Sequence, residues 1–206
     1  MIEKIKEAVK KLFKENKIDI FIGYSKGTLP LKSMPCFITK PEDIDKLVWD
    51  PYCSNNIAVY LSRFFTPQRG AKDKKLPRIG ILAKGCDGRS IVGLIKEHQV
   101  PRENLHIIGV NCSGMIDTKK IKGIDIASVE EKKESVIVGD GYGEKAEFKR
   151  EELLSDVCRS CRHTAPLVYD ILIGGEKGET GSKDREEFIK EFEKKPIEER
   201  WKYFHE

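Results

Sequence analysis

Cys158-Arg159-Ser160-Cys161 places two thiols within one turn of backbone, and two distant cysteines stand ready to join them: Cys86 in Lys84-Gly85-Cys86-Asp87-Gly88 and Cys112 in Asn111-Cys112-Ser113-Gly114. Four soft sulfurs gathered by a fold make a cage for an iron–sulfur cluster or for zinc. Spacing alone selects neither. A zinc ribbon needs two Cys-x-x-Cys knuckles and a ferredoxin run needs closely spaced cysteines, whereas this chain has one knuckle and two isolated thiols. A thioredoxin-like dithiol is a weaker rival, because here the motif follows a polar helix end instead of a strand. The remaining cysteines, Cys36 and Cys53, sit near apolar residues and read as small buried hydrophobes.

The neighbours of the four thiols are basic. Lys84, Arg89, Arg159, Arg162 and His163 all lie close in sequence to one of them, so a cage here is lined with positive charge. Opposite charges a few ångströms apart near a surface attract by roughly 4 kcal/mol at an effective dielectric of about 20. That lining suits any anionic centre, and both a four-thiolate cluster and a four-thiolate zinc are anionic.

Elements must deliver these residues to one place. Arg78 to Ala83 reads as a buried strand, 84–89 as a glycine turn, Ser90 to His98 as a helix and Leu105 to Val110 as a second strand. Strand, helix, strand with short links is a parallel crossover, and ligands gather beyond the carboxyl ends of such strands. Cys86 and Cys112 each fall just past such an end. A helix predicted over Arg150 to Val157 delivers Cys158 and Cys161, and Leu167 to Ile173 reads as one more buried strand. Ser135 to Val138 and Ala146 to Phe148 form a hairpin, while 117–134 reads as charged loop.

Upstream, residues 2–16 carry Ile2, Ile5, Val9, Leu12 and Phe13 at the three-to-four spacing of an amphipathic helix. Strands follow at Ile18 to Tyr24 and Cys36 to Thr39, with a turn at Ser25 to Gly27. A short helix runs from Pro41 to Leu47. Trp49 to Asn56 is a polar turn with aromatic flanks that opens an apolar helix at Ile57 to Phe65, capped by Ser54 or Asn55. Near the end, a helix at Lys183 to Glu193 carries Phe188 and Phe192, and a second from Pro196 onward puts Ile197, Trp201 and Phe204 on one face, expected to dock on the body or on a partner subunit. The class is therefore α/β: a mixed sheet with a parallel βαβ core, a small N-terminal α+β lobe (1–70), a core that holds the site (71–175), and a linker with C-terminal helices (176–206).

At 206 residues the chain buries about 70% of its unfolded surface, so metal is not needed to make a core. Net charge is +4, with charged residues spread along the sequence, which argues against a dedicated nucleic-acid binder. The densest basic run, Lys72 to Arg78, reads as a solvated loop. No apolar stretch is long enough to span a membrane, and the N-terminus lacks a signal-peptide pattern, so the expectation is a cytoplasmic protein whose cysteines serve as ligands or reactive thiols rather than disulfides.

Three segments carry a resemblance. Lys-Gly-Cys-Asp-Gly-Arg at 84–89, Ile-Gly-Val-Asn-Cys-Ser-Gly-Met-Ile-Asp at 108–117, and Cys-Arg-Ser-Cys-Arg-His at 158–163 followed by Tyr169-Asp170-Ile171-Leu172-Ile173-Gly174 resemble the beta-subunit family of coenzyme F420 hydrogenases and dehydrogenases. The likeness spans Ile18 to Gly174. It implies that Cys86, Cys112, Cys158 and Cys161 ligate one 4Fe-4S cluster with FAD close by. It further implies hydride exchange with a soluble carrier, coenzyme F420 among the candidates, and single-electron transfer to an iron–sulfur or ferredoxin-like subunit of a hetero-oligomeric complex. The longer relatives carry an added ferredoxin-like segment that is missing here, so a separate iron–sulfur subunit is expected to abut the chain, with Ile197, Trp201 and Phe204 as its landing place.

No Gly-x-Gly-x-x-Gly or Walker fingerprint marks where a flavin's phosphates would lie. The candidate contacts are the backbone amides of Gly85, Asp87 and Gly88 as an anion nest, charge from Lys84 and Arg89, and polar groups at Tyr24, Lys26, Asn55 and Asn56. Structural roles compete at each: glycines that shape a turn, cations that neutralise a cluster, a solvated lysine. No residue stands out as catalytic. Two other functions are weighed, a non-enzymatic electron-relay adaptor and a zinc-stapled interaction domain.

Overall fold

A computed structural model of the chain describes residues 1–66, 76–124, 126–132, 134–175 and 184–204. The basic run 72–78, the linker that opens the segment 176–206 and the start of the helix placed at Lys183 fall wholly or mostly outside these residues.

Helix α1 (Ile2–Lys14) buries Ile5, Val9 and Leu12 on one stripe, as its periodicity requires. Strand β1 (Ile20–Lys26) pairs antiparallel with β2 (Ser33–Ile38). The turn placed at Ser25 to Gly27 begins later, because Ser25 and Lys26 pair with Met34 and Ser33. A 3-10 turn at Pro41–Lys46 starts on Pro41, and another at Ile57–Tyr60 runs into α2 (Leu61–Phe65).

Strand β3 (Ile79–Ala83) is buried at every residue, as a strand covered on both faces must be. It passes straight into α3 (Gly85–Lys96), so the glycine turn read at 84–89 is the helix's own first turn. The carboxylate of Asp87 accepts the Lys84 N–H at 2.9 Å and closes the helix start without a loop. Strand β4 (Leu105–Val110) then returns parallel to β3.

Residues 117–134 hold a strand that the loop reading missed, β5 (Ile126–Glu131), in an antiparallel sheet of order β5-β6-β7 with β6 (Ser135–Asp140) and β7 (Lys145–Lys149). Its apolar alternation is short, and a register shift between Ile126 and Ser128 interrupts the period of two. The single helix read over Arg150 to Val157 is two, α4 (Arg150–Leu153) and α5 (Asp156–Arg159). Between them Leu154 bridges to Ile116, and the Ser155 N–H donates to Met115 O at 2.9 Å.

Strand β8 (Ile171–Ile173) is shorter than the strand read from Leu167. Asp170 accepts the Ile107 N–H through its side chain at 2.7 Å and donates its own N–H to Ile107 O at 2.9 Å, closing the ladder before the strand begins. Last come α6 (Asp184–Lys194) and α7 (Ile197–Tyr203). Ile197, Trp201 and Phe204 are 57%, 58% and 69% exposed, so this face does not dock on the body as predicted. Instead the Phe192 ring meets Tyr203 and Phe204 edge-on, with centroids 5.3 and 6.0 Å apart.

The main sheet has the order β2-β1-β3-β4-β8, with the last four strands parallel and β2 antiparallel at the edge. This is the α/β mixed sheet with a parallel βαβ core, and it joins strands from both sides of residue 70. Its core includes Phe21, Ile22, Ile81, Leu82, Ile107 and Ile108. The second sheet has its own buried group, Leu31, Ile116, Ile121, Val136, Val138 and Leu153. Among the described residues no helix is long and apolar enough to cross a membrane. The carboxyl ends of β3, β4 and β8 share one rim, where Lys84 to Cys86, Asn111 to Cys112 and Gly174 emerge.

Candidate functional site

All four motif cysteines line one cavity of about 540 Å³ at that rim. Cys86 sits in the first turn of α3 and Cys112 two residues beyond β4. The Cys-x-x-Cys is held to them by backbone. Asp117 N–H donates to Leu153 O at 2.8 Å and Ser155 N–H to Met115 O at 2.9 Å, so the chain around Cys112 and the chain before Cys158 run side by side. After Cys161 the segment turns back, and Cys112 N–H donates to Thr164 O at 3.0 Å.

Two glycines make room for this return. A Cβ on Gly85 would lie 1.8 Å from His163 O, and one on Gly88 would lie 2.5 Å from Pro166 Cβ. The return segment therefore lies on bare backbone of α3, which is what lets Cys161 and Cys86 share a cavity. Among the described residues, however, no three His, Cys, Asp or Glu side chains close on a point as a single metal ion requires.

Lys84 also lines the cavity but is only 2% exposed, and its ammonium is committed elsewhere. It donates to Tyr24 Oη, to Asn55 O at 3.1 Å and to Asp87 Oδ2 at 2.9 Å. Tyr24 Oη in turn donates to Asn55 O. An ammonium has three N–H groups, and here each has an acceptor. Asp87 is fully buried, and its Oδ1 has no hydrogen-bond partner among the described residues. Burial pushes the Tyr24 hydroxyl pKa far up, with the Asp87 charge adding to it.

Several residues read as flavin contacts have structural partners of their own. Tyr24, Asn55, Lys84 and Asp87 tie β1, the turn before Ile57 and the start of α3 together. Gly85 and Gly88 lie under the return segment, and of the three amides read as an anion nest the Gly88 N–H is used within the helix, donating to Lys84 O at 2.9 Å. Asn56, not Ser54 or Asn55, is the cap: its Oδ1 accepts the Ala58 N–H at 3.1 Å and its Nδ2 donates to Ser90 Oγ at 2.7 Å. Lys26 is exposed at the end of β1. Arg89 is exposed and lines the cysteine cavity.

A second cavity of about 450 Å³ adjoins the first, sharing Cys112, Ser113 and Met115. Met1, Trp49, Asp50, Pro51, Asn111 and Gly174 complete its wall. Sequence reasoning found the Trp49 turn but not its meeting with Asn111 and Gly174, which only the sheet order brings about. Asp50 is occupied in shaping that turn, accepting from Ser33 Oγ at 2.8 and 2.9 Å and from Tyr52 N–H at 2.9 Å.

Burial dominates the thiol electrostatics. It holds Cys112 at about 11, against the pull of the Gly114 N–H and the Lys84 ammonium. Burial raises Cys86 too, Asp87 adds to it, and Lys84 opposes. Both are thus protonated thiols near neutral pH, and metal loading would release protons. Cys53 is buried and pushed up to about 12 by that burial, which suits a structural thiol; Cys36 is half-buried and also raised by burial.

No protein-family model matches the chain. It is similar to the F420-dependent formate dehydrogenase subunit beta of Methanocaldococcus jannaschii, 25% identical over 195 residues, covering 84% of this chain and 49% of that protein. It is also similar to the F420-dependent formate dehydrogenase 1 subunit beta of Methanococcus maripaludis, 26% identical over 173 residues, covering 76% of this chain and 43% of that protein. The chain thus spans about half the length of the curated relatives it matches. In fold it is similar to a chain of the F420-reducing NiFe hydrogenase complex from Methanosarcina barkeri, with a TM-score of 0.57 at 18% identity over 78% of this chain and 59% of that one.

Proposed function

We infer that this chain, a low-identity relative of the coenzyme F420 hydrogenase and dehydrogenase beta subunits, is a flavin-dependent iron–sulfur subunit of an oxidoreductase complex. The observation that carries the reading is the meeting of Cys86, Cys112, Cys158 and Cys161, from three separate stretches of chain, on the wall of one cavity. Four thiols on one cavity wall, with no carboxylate among its lining residues, fit the all-sulfur donor set of a 4Fe-4S cluster. When bound, FAD would supply hydride chemistry with a soluble carrier such as coenzyme F420 and the cluster would supply single-electron exchange with a partner subunit.

The chain's own residues prepare both places. Arg89, Arg159 and His163 on the cysteine cavity, with the buried Lys84 ammonium beneath, offset the negative charge that four thiolates bring. Trp49, Pro51 and Met115 give the adjoining cavity apolar walls for a planar ring, and Asn111 gives it a polar group. Cys112 and Met115 belong to both walls, so a ring held there would lie against the cysteine site. Lys84, with every N–H used, orients these walls and leaves phosphate binding to exposed cations such as Arg89.

Anaerobic purification followed by an absorption spectrum tests this reading. A broad brown absorption bleached by dithionite, with added resolved flavin bands, is the expected result. A colourless protein containing zinc overturns it. Reduced coenzyme F420, NADH and NADPH offered in turn with a dye acceptor identify the carrier; failure of all three in a brown protein leaves the non-enzymatic relay as the function.

A further inference from the structure

The cysteine cavity opens to solvent, and its mouth has the make-up of a docking surface. Cys86 is exposed, and near it Val157 and Leu167 stand 75% and 61% exposed, outside both cores. Val157 lines the cavity; Leu167 follows Pro166, which packs on Gly88 in the same turn of α3 that carries Cys86. Around this apolar centre Arg89, Arg159, Arg162 and His163 are all exposed. Among the described residues that line the cavity there is no aspartate or glutamate. The acid nearest the motif in sequence, Asp156, pairs with Lys120 at 2.7 Å and its charge also acts on Arg159, while Asp87 is buried against Lys84.

An apolar centre with arginines at its edge is the composition of a protein interface. A small anion would use the arginines but has no need of Val157 or Leu167. We propose that this mouth docks an acidic protein that carries single electrons, and that the exposed face of α7 is not its seat. The proposal rests on the redox function argued above and names the surface and the charge of the partner. One electron lost by the partner balances one gained on this side, or the reverse, and no bond forms or breaks. Complementary charge would act mainly by steering the encounter, so binding weakens as salt rises.

The test uses an acidic two-cluster ferredoxin as the probe and calorimetric titration of the anaerobically purified chain at low and high salt. Four proteins are compared: the native chain, the triple variant Arg89→Glu/Arg159→Glu/Arg162→Glu, Leu167→Asp, and Lys14→Glu. Lys14 is exposed at the far end of α1, by Asn16, whose carbonyl accepts from Arg78 just before β3, and so lies at the amino ends of the parallel strands, opposite the cysteine rim. The native chain and Lys14→Glu should bind alike and lose affinity with salt. The triple variant should bind at least roughly tenfold more weakly, and Leu167→Asp, which keeps every arginine, should also weaken binding. A native chain that ignores the probe at low salt overturns the proposal, as does a folded triple variant that binds as tightly as the native chain. Iron and flavin are measured on the same samples. A colourless chain that still binds through its arginines sinks the functional reading and spares the surface; a brown chain indifferent to charge reversal does the opposite.

Discussion

Lys84 shows how much one side chain can hold in place at this rim. Its ammonium ties Tyr24 of β1, the Asn55 carbonyl and Asp87 of α3 into one buried group. A buried ion pair adds little net stability over an apolar pair, but removing one member strands the other without compensation. Lys84→Met leaves the fully buried Asp87 carboxylate with only the Lys84 N–H as partner and should cost about 3–5 kcal/mol in urea denaturation. Replacing both, Lys84→Met with Asp87→Leu, should recover part of that loss. A single variant as stable as the native chain would mean that the ammonium is solvated. Cys53 belongs to the same scale: a thiol raised to about 12 by burial is a packing residue, and the sequence reading of it as a small hydrophobe agrees with that.

Among the elements, the return segment that crosses α3 decides whether the cysteines meet. Gly85→Ala puts a methyl against the His163 carbonyl, a backbone atom that cannot swing aside. The expected cost is about 1–3 kcal/mol of overpacking, read as a lowered iron content at unchanged circular dichroism; full iron retention would show that the segment has room. The unit β3-α3-β4 was legible because unbroken apolar runs bracket a glycine-rich start, and both cysteines were correctly placed just past strand ends. Strand β5 was not legible, because an edge strand with one solvated face needs few apolar residues and a register shift breaks what alternation it has. Nor was the break between α4 and α5, since Leu154 leaves the helix only to pair with Ile116, far away in sequence. The commitment of Lys84 was hidden for a related reason. A lysine beside a glycine turn reads as surface charge until Tyr24 and Asn55 are known to surround it. The one local hint was Asp87 three residues on, at capping distance from the Lys84 N–H.

Across the whole molecule, the site is where two sheets hand chain to each other: Cys86 and Cys112 rise from the parallel rim, and Cys158 and Cys161 follow from the antiparallel sheet through α4 and α5. The amino ends of the parallel strands carry a separate pH response. Burial lowers the pKa of His106, Asp170 opposes this, and Lys17, Arg102 and Arg78 add to the lowering; its Nδ1 is buried without a hydrogen-bond partner among the described residues. A histidine harder to protonate when folded adds stability that is complete above its unfolded value of about 6.5 and is lost as pH falls through its lower folded value. The melting temperature should therefore drop on the acid side, and His106→Asn should flatten that drop; an identical slope would remove His106 as its source. The central claim is that four scattered cysteines form one iron site, and iron per chain after anaerobic purification tests it most directly. Cys86→Ser, Cys112→Ser, Cys158→Ser and Cys161→Ser should each lose most of the iron and the brown colour while Cys36→Ser keeps both. Equal iron in all five variants would contradict the account.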